Sequence, residues 1–196
     1  MKYYRESVTS LSFEFLKELK KEFRFVLIGG WAVWLYTKQL KSKDIDIVVD
    51  LSELAKLKGK YAFSKNERLK KYEFRRGEVQ VDVYSVYYSD IGMKAEEIIK
   101  NCHVIEGLRV PKIEVLVALK AVAFMNRKGS AKGRKDFLDL VSLLGVADKN
   151  LSKYLKDDVL SELVEEIKLT TKIPELSLNN HQVAREKKKW LSNLGR

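Results

Sequence analysis

Three aspartates in this chain have a type and a spacing that favour metal-ion chemistry. Asp44 and Asp46 are separated by one residue in a segment that alternates polar and apolar positions, as a β-strand does. Because successive side chains of a strand point to opposite faces, both carboxylates point to the same side, with backbones about 6.5 to 7 Å apart. Their charges repel, whereas a hard divalent cation with oxygen ligands converts the repulsion into binding energy. Residues 79–84 alternate in the same way, and Asp82 within them supplies a third carboxylate.

The chemistry depends on whether the two aspartate-bearing strands are neighbours. If their faces match, the three carboxylates converge, and two divalent cations about 3.5 to 4 Å apart can clamp a triphosphate and a hydroxyl nucleophile. The alternative is that Asp44 and Asp46 only decorate the solvent edge of a strand. One cysteine, Cys102, and two histidines, His103 and His181, form no cluster of soft ligands in the sequence, so a metal has to be held by oxygen.

A glycine pair precedes the aspartates at a predicted strand-to-helix junction. Gly29-Gly30 follows the apolar run 25–28, and missing side chains let phosphate oxygens approach backbone N–H groups at a helix N-terminus. A tight turn is the alternative explanation. The order of strand, Gly-Gly, helix, strand with Asp-x-Asp, and later strand with a single Asp resembles the nucleotidyltransferase superfamily of DNA polymerase β. The resemblance covers residues 24–84 and extends more loosely to residue 144.

The spacing of the signature points to a subgroup of that superfamily. A hydrophobic residue, Gly, and Gly or Ser precede a spacer and Asp-x-Asp in the family, and here Ile28-Gly29-Gly30 is followed by thirteen residues before Asp44. This spacer is long, and Gly replaces the Ser of many members, so one hydroxyl contact to phosphate is absent. Trp31-Ala32 after the glycines resembles the abortive-infection toxins and lincosamide-type antibiotic nucleotidyltransferases, in which an aromatic and a small residue follow.

The resemblance implies both a fold and an activity. The fold is α+β, with a nucleotidyltransferase-like mixed β-sheet and flanking helices followed by a C-terminal helical bundle. The activity is transfer of NMP from an NTP to a hydroxyl acceptor, which is RNA, tRNA, a protein or a small molecule. The implied roles are metal binding and catalysis, with Mg²⁺ or Mn²⁺, for Asp44, Asp46 and Asp82, and nucleotide binding for Gly29 and Gly30.

A lysine interrupts a later apolar helix. Residues 113–124 are apolar on nearly every face, yet they contain Lys120, and Arg127 lies two helical turns further along the same face, about 10 Å away. In the toxin-like subgroup a helix after the catalytic domain carries Lys and Arg, so the resemblance implies that Lys120 and Arg127 bind nucleotide phosphate. The alternative is that Lys120 extends its ammonium to solvent. Asp136 and Asp139 are predicted to lie in the first turns of a helix, where they stabilise its dipole and pair with lysines.

The remaining pattern predicts the elements that position these residues. Strands are predicted at 25–28, 43–49, 70–74 and 79–84, and helices at 11–23, 31–38 and 93–100. Asp50 is expected to cap a short helix with Glu53 in a capping box. Val110-Pro111 marks the predicted boundary between a catalytic domain, 1–110, and a helical domain, 111–196, because proline suits the first turn of a helix. Helices in the second domain are predicted at 113–127, 134–144, 157–169 and 181–194.

Charge and hydropathy restrict the partners. The formal net charge of +11 favours polyanionic partners such as nucleotides or RNA. No apolar run approaches the roughly 20 residues that span a bilayer, and residues 1–10 lack a signal-peptide core, so a cytoplasmic protein without a membrane partner is expected. Two alternatives to an enzyme are a catalytically inert nucleotide- or RNA-binding module and a component of a toxin–antitoxin pair that acts by contact with an antitoxin partner.

Overall fold

A computed structural model describes residues 6–196, and the chain divides into two units. Of the described residues, 6–112 form the first, here called the sheet unit, and Ile113–Arg196 form the second, here called the helical unit. Among the described residues, no helix has both the length and the apolar composition that crossing a bilayer requires.

The sheet unit contains a mixed sheet of five strands. The order across the sheet is β1-β2-β5-β4-β3, and β2 and β5 are parallel whereas the other neighbours are antiparallel. A separate antiparallel hairpin follows, formed by β6 and β7. The strands are β1 (Val26–Ile28), β2 (Ile45–Val49), β3 (Ser64–Asn66), β4 (Lys71–Arg76), β5 (Val79–Ser85), β6 (Cys102–Ile105) and β7 (Leu108–Pro111).

Helices flank this sheet and make up the helical unit. The sheet unit has α1 (Glu6–Glu22), α2 (Gly29–Thr37), α3 (Leu51–Lys60) and α4 (Ala95–Lys100). The helical unit has α5 (Ile113–Arg127), α6 (Ala131–Val146), α7 (Asp157–Leu169) and α8 (Asn180–Ser192), with short 3₁₀ turns at Ser152–Tyr154 and Pro174–Leu176. Every predicted helix and strand is present: α5 and α7 have the predicted bounds and the others have shifted ends. The α+β prediction is confirmed.

Alternation along the two central strands builds the core of the sheet unit. One face of β2 and β5 carries only aliphatic side chains over the central positions, and they are fully buried: Ile45, Ile47, Val81 and Val83. Helix α1 packs against β5, and α2 and α4 pack against β2. Trp31 of α2 is buried and donates its indole N–H to the hydroxyl of Ser12 in α1 at 2.8 Å. The aliphatic face thereby fixes which side of the sheet the intervening polar residues must occupy.

Several local expectations are corrected by the structure. Pro111 ends β7 and does not open a helix, since α5 begins at Ile113. Asp50 does cap α3, accepting from the Glu53 N–H at 2.8 Å, but the buried Glu53 carboxylate accepts from the backbone N–H of Arg24 at 3.1 Å. Strand β3 and the β6–β7 hairpin lie in segments for which no strand was predicted.

Candidate active site

Strand register brings two of the three predicted catalytic aspartates together. In the parallel β2–β5 ladder, Asp46 is the direct partner of Asp82. Neighbouring strands lie about 4.8 Å apart, and paired residues present their side chains on the same face. Both aspartates are partly exposed. The aliphatic residues that flank each aspartate along its strand point to the opposite, buried face. Asp44 lies in the bend that immediately precedes β2, so the predicted strand 43–49, which included Asp44, begins two residues too early.

A glycine places the start of a helix against this pair. Ile28 of β1 pairs with Asp46, so the chain turns into α2 at Gly29 directly beside that carboxylate. Gly29 has a φ of +65°, and a Cβ added there would lie 2.1 Å from Oδ2 and 2.9 Å from Cβ of Asp46. Both its backbone conformation and the close approach therefore require glycine at this position.

The first turn of α2 is suited to negative charge. The N-cap residue, Ile28, has an apolar side chain and makes no capping hydrogen bond to the first N–H groups. These groups form the positive end of the helix dipole, which favours anions close to them. The Asp46 carboxylate lies at this end, next to Gly29.

A third carboxylate extends the pair across the sheet. Glu73 of β4 is the antiparallel partner of Asp82, so Asp46, Asp82 and Glu73 form one row over three adjacent strands, here called the carboxylate row. The ammonium of Lys71, which is only 6% exposed, pairs with Asp82 Oδ2 and lies 3.1 Å from Glu73 Oε1. The side-chain amide of Gln80 donates to Asp82 Oδ1 at 2.8 Å.

The groups around Lys71 support each other's charge. Burial alone would lower the pKa of Lys71, but the hydrogen bonds and charges of Asp82 and Glu73 outweigh it and raise this pKa above its ordinary value. Burial opposes ionisation of Glu73, but hydrogen bonds from Asn66 and Lys71 outweigh it and lower the Glu73 pKa. Lys71 and Glu73 are therefore both charged at neutral pH.

The oxygen atoms of the predicted site are of the kind that a hard divalent cation prefers. The cradle at Gly29, which a Cβ would fill, leaves room for the Asp46 carboxylate beside the helix start. Within residues 6–196, however, no three His, Cys, Asp or Glu side chains are arranged to hold a metal ion. The Lys71 ammonium is the cation that contacts Asp82 in this arrangement.

The two predicted phosphate-binding cations belong to one group of charges in the helical unit. Lys120 Nζ lies 2.6 Å from Asp139 Oδ2 and 3.4 Å from Asp136 Oδ1, and it is 7% exposed, so the alternative of an ammonium extended to solvent is wrong. Arg127 pairs with Asp136 at 2.7 Å, and Lys135 lies 3.2 Å from Asp139. These five residues are called the charged cluster below; they connect α5 to α6.

Asp136 and Asp139 were predicted to lie in the first turns of a helix and to pair with lysines. The predicted position in the helix is wrong, and the predicted pairing is confirmed. Because α6 begins at Ala131, Asp136 and Asp139 lie beyond its first turn, and both are buried. Burial raises the Asp136 pKa despite the nearby Lys120 and Arg127. Burial also opposes ionisation of Asp139, but the charges of Lys120 and Lys135 outweigh it and lower the Asp139 pKa. The charged cluster is thus an ion-pair network that connects α5 and α6.

Solved structures share this architecture. A putative nucleotidyltransferase from H. pylori matches with a TM-score of 0.57 at 17% identity, over 98% of this chain and 96% of that chain. An antigenic nucleotidyltransferase-like protein from Paracoccidioides brasiliensis matches with a TM-score of 0.51 at 14% identity, over 93% of this chain and 92% of that chain. The fold is nucleotidyltransferase-like. No protein-family model matches the chain, and no curated protein matches it in sequence.

In this nucleotidyltransferase-like fold, one residue of the carboxylate row, Glu73, and the lysine that contacts it, Lys71, were not predicted as site residues. Glu73 lies in a predicted strand, and its alternation with Lys71 and Arg75 places all three on one face. The turn at Gly77 pairs β4 with β5, so counting back from the turn would have placed Glu73 opposite Asp82. Burial of Lys71 has no comparable signal, since it stands in a run of two lysines.

Proposed function

We propose that this chain is a metal-dependent nucleotidyltransferase, which transfers NMP from an NTP to a hydroxyl acceptor. The observation that carries the proposal is the pairing of Asp46 with Asp82 beside the glycine at the start of α2. It joins two carboxylates, which suit a cation, and a helix N-terminus with glycine at its start, which suits a triphosphate.

Asp44, Asp46 and Asp82 would hold Mg²⁺ or Mn²⁺ through oxygen atoms. When bound, such cations neutralise the triphosphate and stabilise the attacking and leaving oxygens. Asp46 and Asp82 would be held by paired positions of two neighbouring strands, whereas Asp44 would be held by the bend before β2.

The chain's own groups would position the substrates. The N–H groups at Gly29 and Gly30 donate to the β- and γ-phosphates, and Asp82 accepts the proton of the acceptor hydroxyl. The acceptor oxygen then bonds to the α-phosphorus while the bond between that phosphorus and the pyrophosphate oxygen breaks. Such an in-line transfer depends on positioning and charge neutralisation and needs no covalent intermediate with the protein.

Lys120 and Arg127 are proposed as phosphate-binding cations of the same reaction. The charged cluster has three cations and two carboxylates, 3 − 2 = +1, so it retains an excess positive charge. Arg127 has 43% of its side chain exposed, against 9% for Lys120. Arg127 is therefore the more accessible of the two to a phosphate.

The formal net charge of +11 favours RNA or tRNA as acceptor over a protein hydroxyl or a neutral small molecule. A toxin-like role, in which the acceptor is the cell's own RNA, is the finer form of the proposal. Growth arrest on expression of the wild-type protein, but not of an Asp46→Asn variant, tests that role.

The test of activity is transfer of label from each α-labelled NTP, in the presence of Mg²⁺, to total RNA or a cell extract. Asp46→Asn and Asp82→Asn should each lower transfer at least about 10²-fold, as expected when charge stabilisation of the transition state is removed. Asp148→Asn is a matched control, because Asp148 is exposed and lies outside the row. Undiminished transfer by both site variants would refute the proposal, and absence of transfer by the wild type would favour the inert binding module.

A further inference from the structure

Lys71 is a buried cation inside the carboxylate row. We propose that Lys71 is a built-in counterion of Asp82, which a divalent cation displaces when it binds, and that Glu73 keeps the displaced ammonium paired. This inference rests on the proposed function, because Asp82 is a metal ligand only there. It makes Lys71 a positioning residue that sets the affinity of the site for its metal.

Burial explains why Lys71 needs partners. An ammonium taken out of water is costly unless it is paired and hydrogen-bonded. Lys71 is 6% exposed and contacts both Asp82 and Glu73. Since these two carboxylates are direct partners on adjacent strands, one ammonium reaches both. Lys71 can therefore release Asp82 without becoming a buried, unpaired charge.

The charge of the row favours a divalent cation. Asp46, Asp82 and Glu73 contribute three negative charges and Lys71 contributes one positive charge, 1 − 3 = −2. Without Lys71 the same row would carry −3. Loss of the ammonium should therefore strengthen the attraction for a metal ion.

Neutral donors hold the two carboxylates independently of Lys71. Gln80 donates to Asp82 Oδ1 at 2.8 Å, and Asn66 donates to Glu73 Oε1 at 2.9 Å. Removal of the ammonium thus leaves both carboxylates with a hydrogen-bond donor that orients them. A purely structural role, in which Lys71 fastens β4 to β5, would change stability but leave metal affinity unaltered.

The experiment measures Mn²⁺ affinity of the full chain without nucleotide, from the electron paramagnetic resonance signal of free Mn²⁺. Lys71→Gln should bind Mn²⁺ about tenfold more tightly or better, because a unit charge acting over about 4 Å near a protein surface is worth at least that factor. Lys71→Arg keeps the charge and should stay close to the wild type. Lys65→Gln, which removes an exposed lysine of β3 paired with Glu67, is the matched control and should change affinity less than about twofold.

A second variant has the opposite expected effect. Glu73→Gln removes one of the two carboxylates that contact the Lys71 ammonium, so the ammonium should stay with Asp82 and Mn²⁺ binding should weaken. In a Lys71→Gln background the same change should weaken binding less, because only the lost Glu73 charge acts there and no ammonium remains to compete. If Glu73→Gln has an equal effect in both backgrounds, Lys71 does not compete with the metal and the proposal is refuted. It is also refuted if the wild type and Lys71→Gln bind Mn²⁺ with equal affinity, or if neither binds it.

Asp82→Asn separates failure of this inference from failure of the proposed function. If that variant loses Mn²⁺ affinity while Lys71→Gln behaves as the wild type, the metal site stands and the role of Lys71 is refuted. If Asp82→Asn leaves Mn²⁺ affinity unchanged, both the metal site and the counterion fail. Circular dichroism of each variant confirms folding, and Lys71→Met replaces Lys71→Gln in both comparisons should the latter not fold.

Discussion

Replacement of Gly29 by alanine tests whether the close contact with Asp46 organises the site. Two separate effects are expected at this position. A φ of +65° is costly for a residue with a Cβ, by about 1 to 2 kcal/mol. The new Cβ would also lie 2.1 Å from Asp46 Oδ2, whereas non-bonded atoms settle at about 3.5 Å, so the carboxylate must move by roughly 1 Å or more.

The magnitude follows from adding these effects. Turning Asp46 away from its preferred rotamer costs a further 0.5 to 1.5 kcal/mol or so. A total of about 2 to 3 kcal/mol lowers the Tm of a unit of this size by about 10 °C or more. A displacement of about 1 Å at a reacting centre can cost about 10²-fold in rate, so nucleotide transfer should fall by a similar factor.

Two other glycines of the sheet unit separate the two effects. Gly77 has a φ of +57° and nothing within 4 Å of an added Cβ, so Gly77→Ala reports the backbone effect alone. Gly59 lies in α3 and likewise has nothing within 4 Å, so Gly59→Ala should be neutral or stabilising by up to about 1 kcal/mol. The assay is thermal and urea unfolding of all three variants, with label transfer measured on each folded protein.

The comparison with Gly77→Ala decides the outcome. Gly29→Ala should be the less stable of the two and the only one of the three variants to lose transfer. If Gly29→Ala unfolds at the same temperature as Gly77→Ala and transfers label at the wild-type rate, then the Asp46 carboxylate does not depend on its contact with Gly29, and the reasoning is wrong.

Two further predictions concern the charged cluster. Lys120→Met leaves Asp136 and Asp139 buried with fewer partners, so it should lower the free energy of unfolding by about 3 kcal/mol or more. Urea denaturation measures this change. The control is Lys132→Met, at an exposed position of α6, which should leave the free energy of unfolding unchanged. The lowered Asp139 pKa stabilises the fold fully above the ordinary value of 3.8, and this contribution is lost as pH falls through the folded-state pKa. Asp139→Asn should therefore flatten the acid limb of a stability–pH profile, whereas Asp136→Asn should steepen it, since the raised Asp136 pKa disfavours the folded state as pH rises through 3.8. An unchanged acid limb in both variants would contradict these assignments.

Sequence patterns predict the strands of the site but not their neighbours. Alternation in residues 43–49 and 79–84 is enough to predict two half-buried strands, because only one face can enter the core. Which strands pair, and in which register, depends on contacts between distant parts of the chain. The sequence therefore predicts convergence of the aspartates only if the two strands are neighbours. The structure shows that β2 and β5 are neighbours.

The missed elements have weak local signals. Strand β3 has the sequence Ser-Lys-Asn and is largely exposed, so no apolar periodicity marks it. The β6–β7 hairpin turns at Glu106-Gly107, both with positive φ, whereas the strong hairpin signals are Asn-Gly and Asp-Gly. Proline at the end of β7 added a misleading helix-start signal.

Buried charges were the hardest part to predict, because a charged residue is usually exposed and its burial depends on a distant partner. Lys71 and Lys120 each stand in a sequence context that does not name that partner, yet each is buried against two carboxylates. The excess charges differ in sign: the carboxylate row with Lys71 carries −2, and the charged cluster carries +1. In both cases the pairing, and with it the burial, depends on which strands or helices become neighbours in the fold.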